Sequence, residues 1–255
     1  MYSLVDLTDR KILVAGASRG IGRAAAVMFS RLGGKLILLA RNEDGLKETL
    51  SMLEGEGHSY YPFDFSDTEN ISDLAKNINE ASGAVDGIFY SVGITHDRPF
   101  MMVKPQDIQK VLNVNLCSFV ELVRCFSKKK YFNPGLRVAV MSSTSSFVGK
   151  KAHLSYSVSK AGINEAVRCM ATELAEKQIY VNAIIAGMID TEMYRKYLQD
   201  SGGEEGISNK GLLRRQYLGI GKPEDIASVA AFLLSPAAQF ITGTCIPVDG
   251  GYTAN

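Results

Sequence analysis

The strongest constraint on the fold is an alternation. Short apolar runs of strand length recur along the chain, separated mostly by segments of helix length and helical period. The runs fall at 11–15, 35–40, 59–63, 86–91, 137–141, 180–184 and 245–248. The helical patterns fall at 22–32, 43–54, 68–81, 104–129, 155–177 and 223–234. Strands separated by helices must cross over to pair, and such crossovers build a parallel sheet with helices on both faces. The expectation is an α/β, doubly wound, Rossmann-like fold with a seven-stranded parallel sheet and a single domain over residues 1–255. The rhythm breaks once, at 188–221. That stretch is polar and Gly-rich and lacks a strand, so it is expected to be a substrate lid or binding loop.

Composition excludes several alternatives. The 28 basic and 27 acidic residues leave a net charge of +1, which offers no field for nucleic acid or an anionic membrane. Apolar residues are 46% and charged residues 22%, ordinary for a globular chain. No apolar run reaches bilayer-spanning length, and residues 1–10 lack the apolar core of a signal peptide. A cytoplasmic protein that acts on a small molecule is therefore expected. Cys117, Cys125, Cys169 and Cys245 form no C-x-x-C pair and have no His at ligand spacing. Buried free thiols are expected, and no metal.

The first apolar run leads into Ala15-Gly16-Ala17-Ser18-Arg19-Gly20-Ile21-Gly22, which opens the first helix. Gly16 and Gly20 permit a tight turn and a close approach to a pyrophosphate. Gly22 permits close helix packing, and the helix start offers free N–H groups to phosphate. An acidic residue at the end of the second strand would select NAD. This chain carries Arg41-Asn42 instead. Arg41 and Arg19 are placed to read a 2′-phosphate, so NADP(H) is expected over NAD(H). Glu43 and Asp44 keep NAD(H) open. Asp64, with Phe65 beyond the third strand, is a candidate for the adenine, or simply a turn former.

Tyr156 and Lys160 stand at i, i+4 on one helix face. A free tyrosine titrates near ~10, and a neighbouring ammonium would bring the phenol toward working pH. Such a tyrosine can give a proton to a carbonyl oxygen or take one from an alcohol. Ser143 ends the fifth strand, where its hydroxyl can hold that oxygen, with Ser142 the second candidate. His96 and His153 lie near the expected cleft as surface loop histidines, with His153 also a candidate substrate contact, and Met101, Met102, Met188, Met193, Tyr194 and Tyr197 flank it as either substrate contacts or packing. Lys128–Lys130 reads as a solvated helix end.

In this combination the chain resembles the short-chain dehydrogenase/reductase family over residues 11–251, and within it the 3-oxoacyl-carrier-protein reductases and related NADP-dependent members. The resemblance implies a catalytic tetrad of Ser143, Tyr156, Lys160 and Asn115, with Asn113 as competitor for the last place. The family's asparagine helps hold a water on a proton relay through the lysine, which also bonds the nicotinamide ribose. The resemblance also implies cofactor contacts from Gly93, Gly187, Ile189 and Thr191, besides the Gly-rich turn. Ile241-Thr-Gly and Asp249-Gly-Gly resemble the family's later motifs. It further implies a homotetramer or homodimer built on the two long helices. Two positions depart from the pattern. Tyr90-Ser-Val-Gly93 replaces Asn-Asn-Ala-Gly, which puts the bracing of the fourth strand in doubt. Ala186-Gly187 replaces Pro-Gly, which is expected to loosen the entry to the lid. The expected reaction is reversible reduction of a ketone to a secondary alcohol. A cofactor-binding sensor or structural subunit without turnover is the alternative.

Overall fold

A computed structural model describes residues 5–200 and 215–254. Seven parallel strands form one sheet in the order β3-β2-β1-β4-β5-β6-β7. They are β1 Lys11–Ala15, β2 Lys35–Ala40, β3 Ser59–Pro62, β4 Val85–Tyr90, β5 Phe132–Ser143, β6 Tyr180–Ala186 and β7 Cys245–Val248. The expected α/β architecture is thus the observed one.

The central strands are apolar throughout, yet they still sort their side chains by period two. Leu13 and Ala15 enter the core on one face of the sheet, whereas Ile12 and Val14 enter the core on the other. Ile37 and Leu39 share the first face, and Leu36 and Leu38 the second. A strand covered on both sides has no polar face to show, which is why it reads as one unbroken apolar run. The first core is closed by α3 (Ile71–Ser82), α5 (Ser118–Phe126) and α6 (Leu154–Leu174). The second is closed by α1 (Gly20–Arg31), α2 (Glu43–Ser51) and, near the end of the chain, α8 (Pro223–Leu234).

Three departures from the sequence expectation bear on the site. The long helix expected at 104–129 is interrupted. It runs as α4 (Pro105–Leu112), a π-helical turn over Asn113–Cys117, and then α5. β5 and β6 extend beyond the expected ends, so that Ser143 pairs with Ala186 at the top of the sheet. Finally, the segment expected to be an irregular lid contains α7 (Glu192–Asp200), and its ends meet in a parallel bridge between Ile189 and Gly221. Residues 201–214 of that segment lie outside the described residues. Cys117 and Cys169 are exposed rather than buried. No described helix is long and apolar enough to cross a membrane, and the described residues hold no cluster of metal-ligating side chains.

Candidate active site

Strand order reverses between β1 and β4, and a crevice opens beyond the carboxyl ends of strands at such a switch point. Here a cleft of about 1600 Å³ runs across those ends. Its wall includes Gly16, Ser18, Arg19, Gly20, Ile21, Gly22, Arg41, Asn42, Asp64, Phe65, Gly93, Ser143, Tyr156, Lys160, Gly187, Ile189 and Thr191. Of the four catalytic candidates, Asn115 alone is not part of this wall, and Asn113, Met101 and Met102 do not line it either.

The Gly-rich turn has backbone reasons for its glycines. Gly16 and Gly20 have φ of 88° and 54°, in the left-handed region. A Cβ on Gly22 would lie 2.1 Å from the Gly16 carbonyl oxygen, so α1 can start this close to the turn only without one. No side chain caps α1, and no acid occupies its first turn. Its leading N–H groups therefore face the cleft as an anion site. These features fit the pyrophosphate of a dinucleotide.

The residues expected to read the adenosine end are placed differently from one another. Arg41 lies 3.6 Å from Asp64, both exposed, and Asp64 also accepts from the Ser66 backbone N–H at 2.9 Å. Arg19 is ion-paired with Glu192 at the start of α7. Asn42 caps α2, accepting from Gly45 N–H at 2.8 Å. The Phe65 ring is buried against Tyr90, their centroids 5.5 Å apart, so this side chain belongs to the core.

At the other end, Ser143 and Ser142 separate by register. Ser142 Oγ turns toward the Lys160 carbonyl at 3.4 Å, beneath α6. Ser143 Oγ accepts from Ser145 N–H at 3.1 Å and lies near enough to the Tyr156 phenol to favour its ionised form. Lys160 is buried. It donates to the Met141 carbonyl at 2.8 Å, and its Nζ lies 5.6 Å from the centre of the Tyr156 ring. Burial pushes the Lys160 ammonium down to about 8. Burial also raises the Tyr156 phenol above its ordinary value, with the Ser143 hydroxyl opposing. The expectation that Lys160 holds the phenol below its ordinary value is therefore not met in this arrangement. Both groups are buried, and desolvation is the largest influence on each.

Asn115 sits in the π-helical turn, fully buried. Its Oδ1 accepts from Ile94 N–H at 2.8 Å, while its Nδ2 donates to the Ile94 carbonyl at 3.0 Å and to Ser159 Oγ at 2.9 Å. One amide thus ties the loop after β4 to the helix that carries Tyr156 and Lys160. Asn113 points elsewhere and donates to the Ser66 carbonyl at 3.0 Å.

Sequence reasoning missed two supports. The first is Tyr90, at the place where bracing was in doubt. Its buried hydroxyl lies 3.0 Å from the Val114 carbonyl and 2.5 Å from Ser118 Oγ, both at the π-helical turn. Ser91 Oγ donates to the Ala15 carbonyl at 2.8 Å and joins the ends of β4 and β1. The strand end is braced by different chemistry. The second is Gln216. Its amide accepts from Met188 N–H at 2.8 Å and donates to the Met188 carbonyl at 2.9 Å. A Cβ on Gly187 would meet Gln216 Oε1 at 2.6 Å. The loop entry expected to be loose is pinned from across the lid. The signals were a tyrosine in place of an asparagine and a glutamine distant in sequence, neither readable without the pairing partner.

A seven-stranded doubly wound sheet with a glycine turn at its switch point and a Ser/Tyr/Lys cleft defines a class, and comparison with known proteins agrees. The family model described as enoyl-(acyl carrier protein) reductase matches residues 16–253, and the chain belongs to the short-chain dehydrogenase/reductase family. Among individual relatives, it is 32% identical to a 3-oxoacyl-[acyl-carrier-protein] reductase of Vibrio harveyi, over 97% of this chain and 98% of the relative. It is 33% identical to an acetoacetyl-CoA reductase of Synechocystis, over 99% of each. Among solved structures, a short-chain alcohol dehydrogenase from Sinorhizobium meliloti superposes with a TM-score of 0.90 at 32% identity, covering 99% of this chain and all of the other. An Agrobacterium tumefaciens protein described as a 2-deoxy-D-gluconate 3-dehydrogenase, with NADP bound, superposes with a TM-score of 0.87 at 30% identity over the full length of both. The chain is thus an oxidoreductase of this family, of the kind that acts on alcohols and carbonyls.

Proposed function

We propose that the protein catalyses reversible hydride transfer between NADP(H) and a small ketone or secondary alcohol. The observation that carries this reading is the meeting of Ser143, Tyr156 and Lys160 in one cleft with the uncapped start of α1. The nicotinamide, when bound, supplies or accepts the hydride. The rest falls to this chain's own residues.

Ser143 donates a hydrogen bond to the substrate oxygen and so holds it beside the phenol. Tyr156 gives its proton to that oxygen during reduction and takes one from the hydroxyl during oxidation. Lys160, held by the Met141 carbonyl, keeps a positive charge next to the phenol. That charge favours the phenolate left after proton donation. Asn115 fixes the Ile94 backbone against α6 and keeps this wall in register with Tyr156. The preference for NADP(H) rests on Arg41 and Arg19. Among the described residues each has an exposed carboxylate as its ion-pair partner, and exposed pairs are worth about 0–1 kcal/mol, so either guanidinium can exchange its partner for a 2′-phosphate. The NADP bound in the Agrobacterium relative supports the same choice.

The test is to follow the label. Wild-type protein given NADPH deuterated at the reactive nicotinamide carbon and a panel of ketones should place deuterium on the carbinol carbon of the product. Label that never reaches a product, in any member of the panel, refutes hydride transfer.

A further inference from the structure

Beyond Tyr156 the cleft continues into a polar end that the hydride chemistry leaves unused. Lys150 stands there, four residues before α6 begins, and lines the cleft together with His153 and Tyr197. Among the described residues no carboxylate lies within ion-pair distance of its ammonium. Its ammonium lies over the face of Tyr252, with Nζ 5.5 Å from the ring centre. The acid that acts on it from a distance, Asp97, is 3.5 Å from His153 Nδ1. His153 is itself buried, with its ring edge-on to both Tyr156 and Tyr197.

Lys150 differs from the protein's ion-paired cations. Lys35, Lys47, Arg23 and Arg168 all meet carboxylates at the surface. Lys150 is half-buried on the cleft wall, and burial draws its ammonium below its ordinary value while Asp97 opposes the shift from a distance. A partly desolvated cation on a cleft wall, with no carboxylate at ion-pair distance among the described residues, offers its charge to an anion that enters the cleft. Lysine offers a point charge rather than the planar fork of arginine. With Asp97 close by, one negative charge is better tolerated than two, which favours a carboxylate over a phosphate.

We infer that this end of the cleft is a carboxylate subsite, with Lys150 as its cation, and that the substrate is a small oxo or hydroxy acid whose carboxyl group is free. The inference rests on the reductase reading above and adds the substrate class to it. A thioester has no free carboxylate to offer Lys150, so acyl thioesters are poor substrates on this account. Asp97, His153 and Tyr197 present hydrogen-bonding groups alongside, which suits a short polar chain better than a long acyl tail.

The test compares acetoacetate, laevulinate and 5-oxohexanoate with their methyl esters, with acetoacetyl-CoA and with a neutral diketone, using the full chain and NADPH. Wild type should reduce at least one acid with kcat/KM about tenfold or more above its ester, the value of a charge-assisted hydrogen bond. Lys150→Gln should collapse that acid-to-ester ratio toward one, chiefly through KM, and Lys150→Arg should restore much of it. Equal kcat/KM for acids and esters in wild type overturns the subsite, as does a Lys150→Gln effect that falls equally on both. Efficient reduction of acetoacetyl-CoA, indifferent to Lys150, overturns it too. If no carbonyl is reduced, the neutral diketone included, the reductase reading fails and the subsite with it.

Discussion

At the scale of single residues, Gly22 has the least freedom in the cofactor turn. A Cβ there would sit 2.1 Å from a backbone oxygen, and a backbone contact cannot rotate away as a side chain would. Gly22→Ala should therefore destabilise the protein by about 1–3 kcal/mol and weaken NADPH binding at the start of α1. A melting curve and a fluorescence titration with NADPH check both effects. Lys160 makes a prediction in pH. Its ammonium titrates at about 8, so reduction should proceed below that pH and decline as pH rises through it, when the charge beside Tyr156 is lost. A kcat profile for reduction that stays flat well above this value would contradict the role given to Lys160. Arg41→Ala should lower the NADPH-over-NADH preference about tenfold, the value of a charge-assisted contact. An unchanged ratio would remove Arg41 from cofactor selection.

At the scale of elements, the π-helical turn at Asn113–Cys117 decides where Asn115 points. The turn inserts one extra residue into the helical ladder, and such turns recur at functional sites. Tyr90 and Ser118 hold its Val114 carbonyl from below. Tyr90→Phe keeps the ring in the core but leaves this network short of a donor, so it should cost about 1–3 kcal/mol and reduce kcat more than it weakens NADPH binding. Thermal unfolding together with steady-state kinetics measures the split. The helical pattern over 104–129 was readable from sequence because apolar residues recur on one face of both α4 and α5. The break was not, because nothing in Asn-Val-Asn-Leu-Cys opposes an ordinary helix. What braces it is a hydroxyl on β4, far away in sequence. The strands were legible for the converse reason: a strand buried on both faces must be apolar throughout. The cofactor turn and the Tyr/Lys pair were legible because each is local, one a run of glycines and the other a single helical turn. Gln216 and Lys150 gave no such signal, since their roles lie in what they face across the cleft.

At the scale of the whole molecule, apolar side chains remain exposed where α5 and α6 turn outward. Val120 is 36% exposed, Val158 43% and Phe147, just before α6, 61%. Similar exposure at Leu218 and Phe240, 87% and 101%, lies on other segments. The family resemblance implies a homotetramer or homodimer built on the two long helices, and these exposed residues on and near α5 and α6 make that expectation testable. Sedimentation should give a multiple of the 27.7 kDa chain mass, and Val158→Asp should reduce the assembly by placing an unpaired charge in an apolar contact. A monomer at working concentration would contradict this.

The central claim, that Tyr156 moves the proton while the bound cofactor moves the hydride, is tested most directly by Tyr156→Phe. The substitution removes one oxygen and leaves the cleft otherwise intact. The measurement is turnover of NADPH with a ketone that wild type reduces, made beside a titration of NADPH binding to the variant. The account predicts a fall in kcat of at least about a hundredfold, the lower range for a lost general acid, with NADPH affinity nearly unchanged. Turnover at the wild-type rate would contradict it.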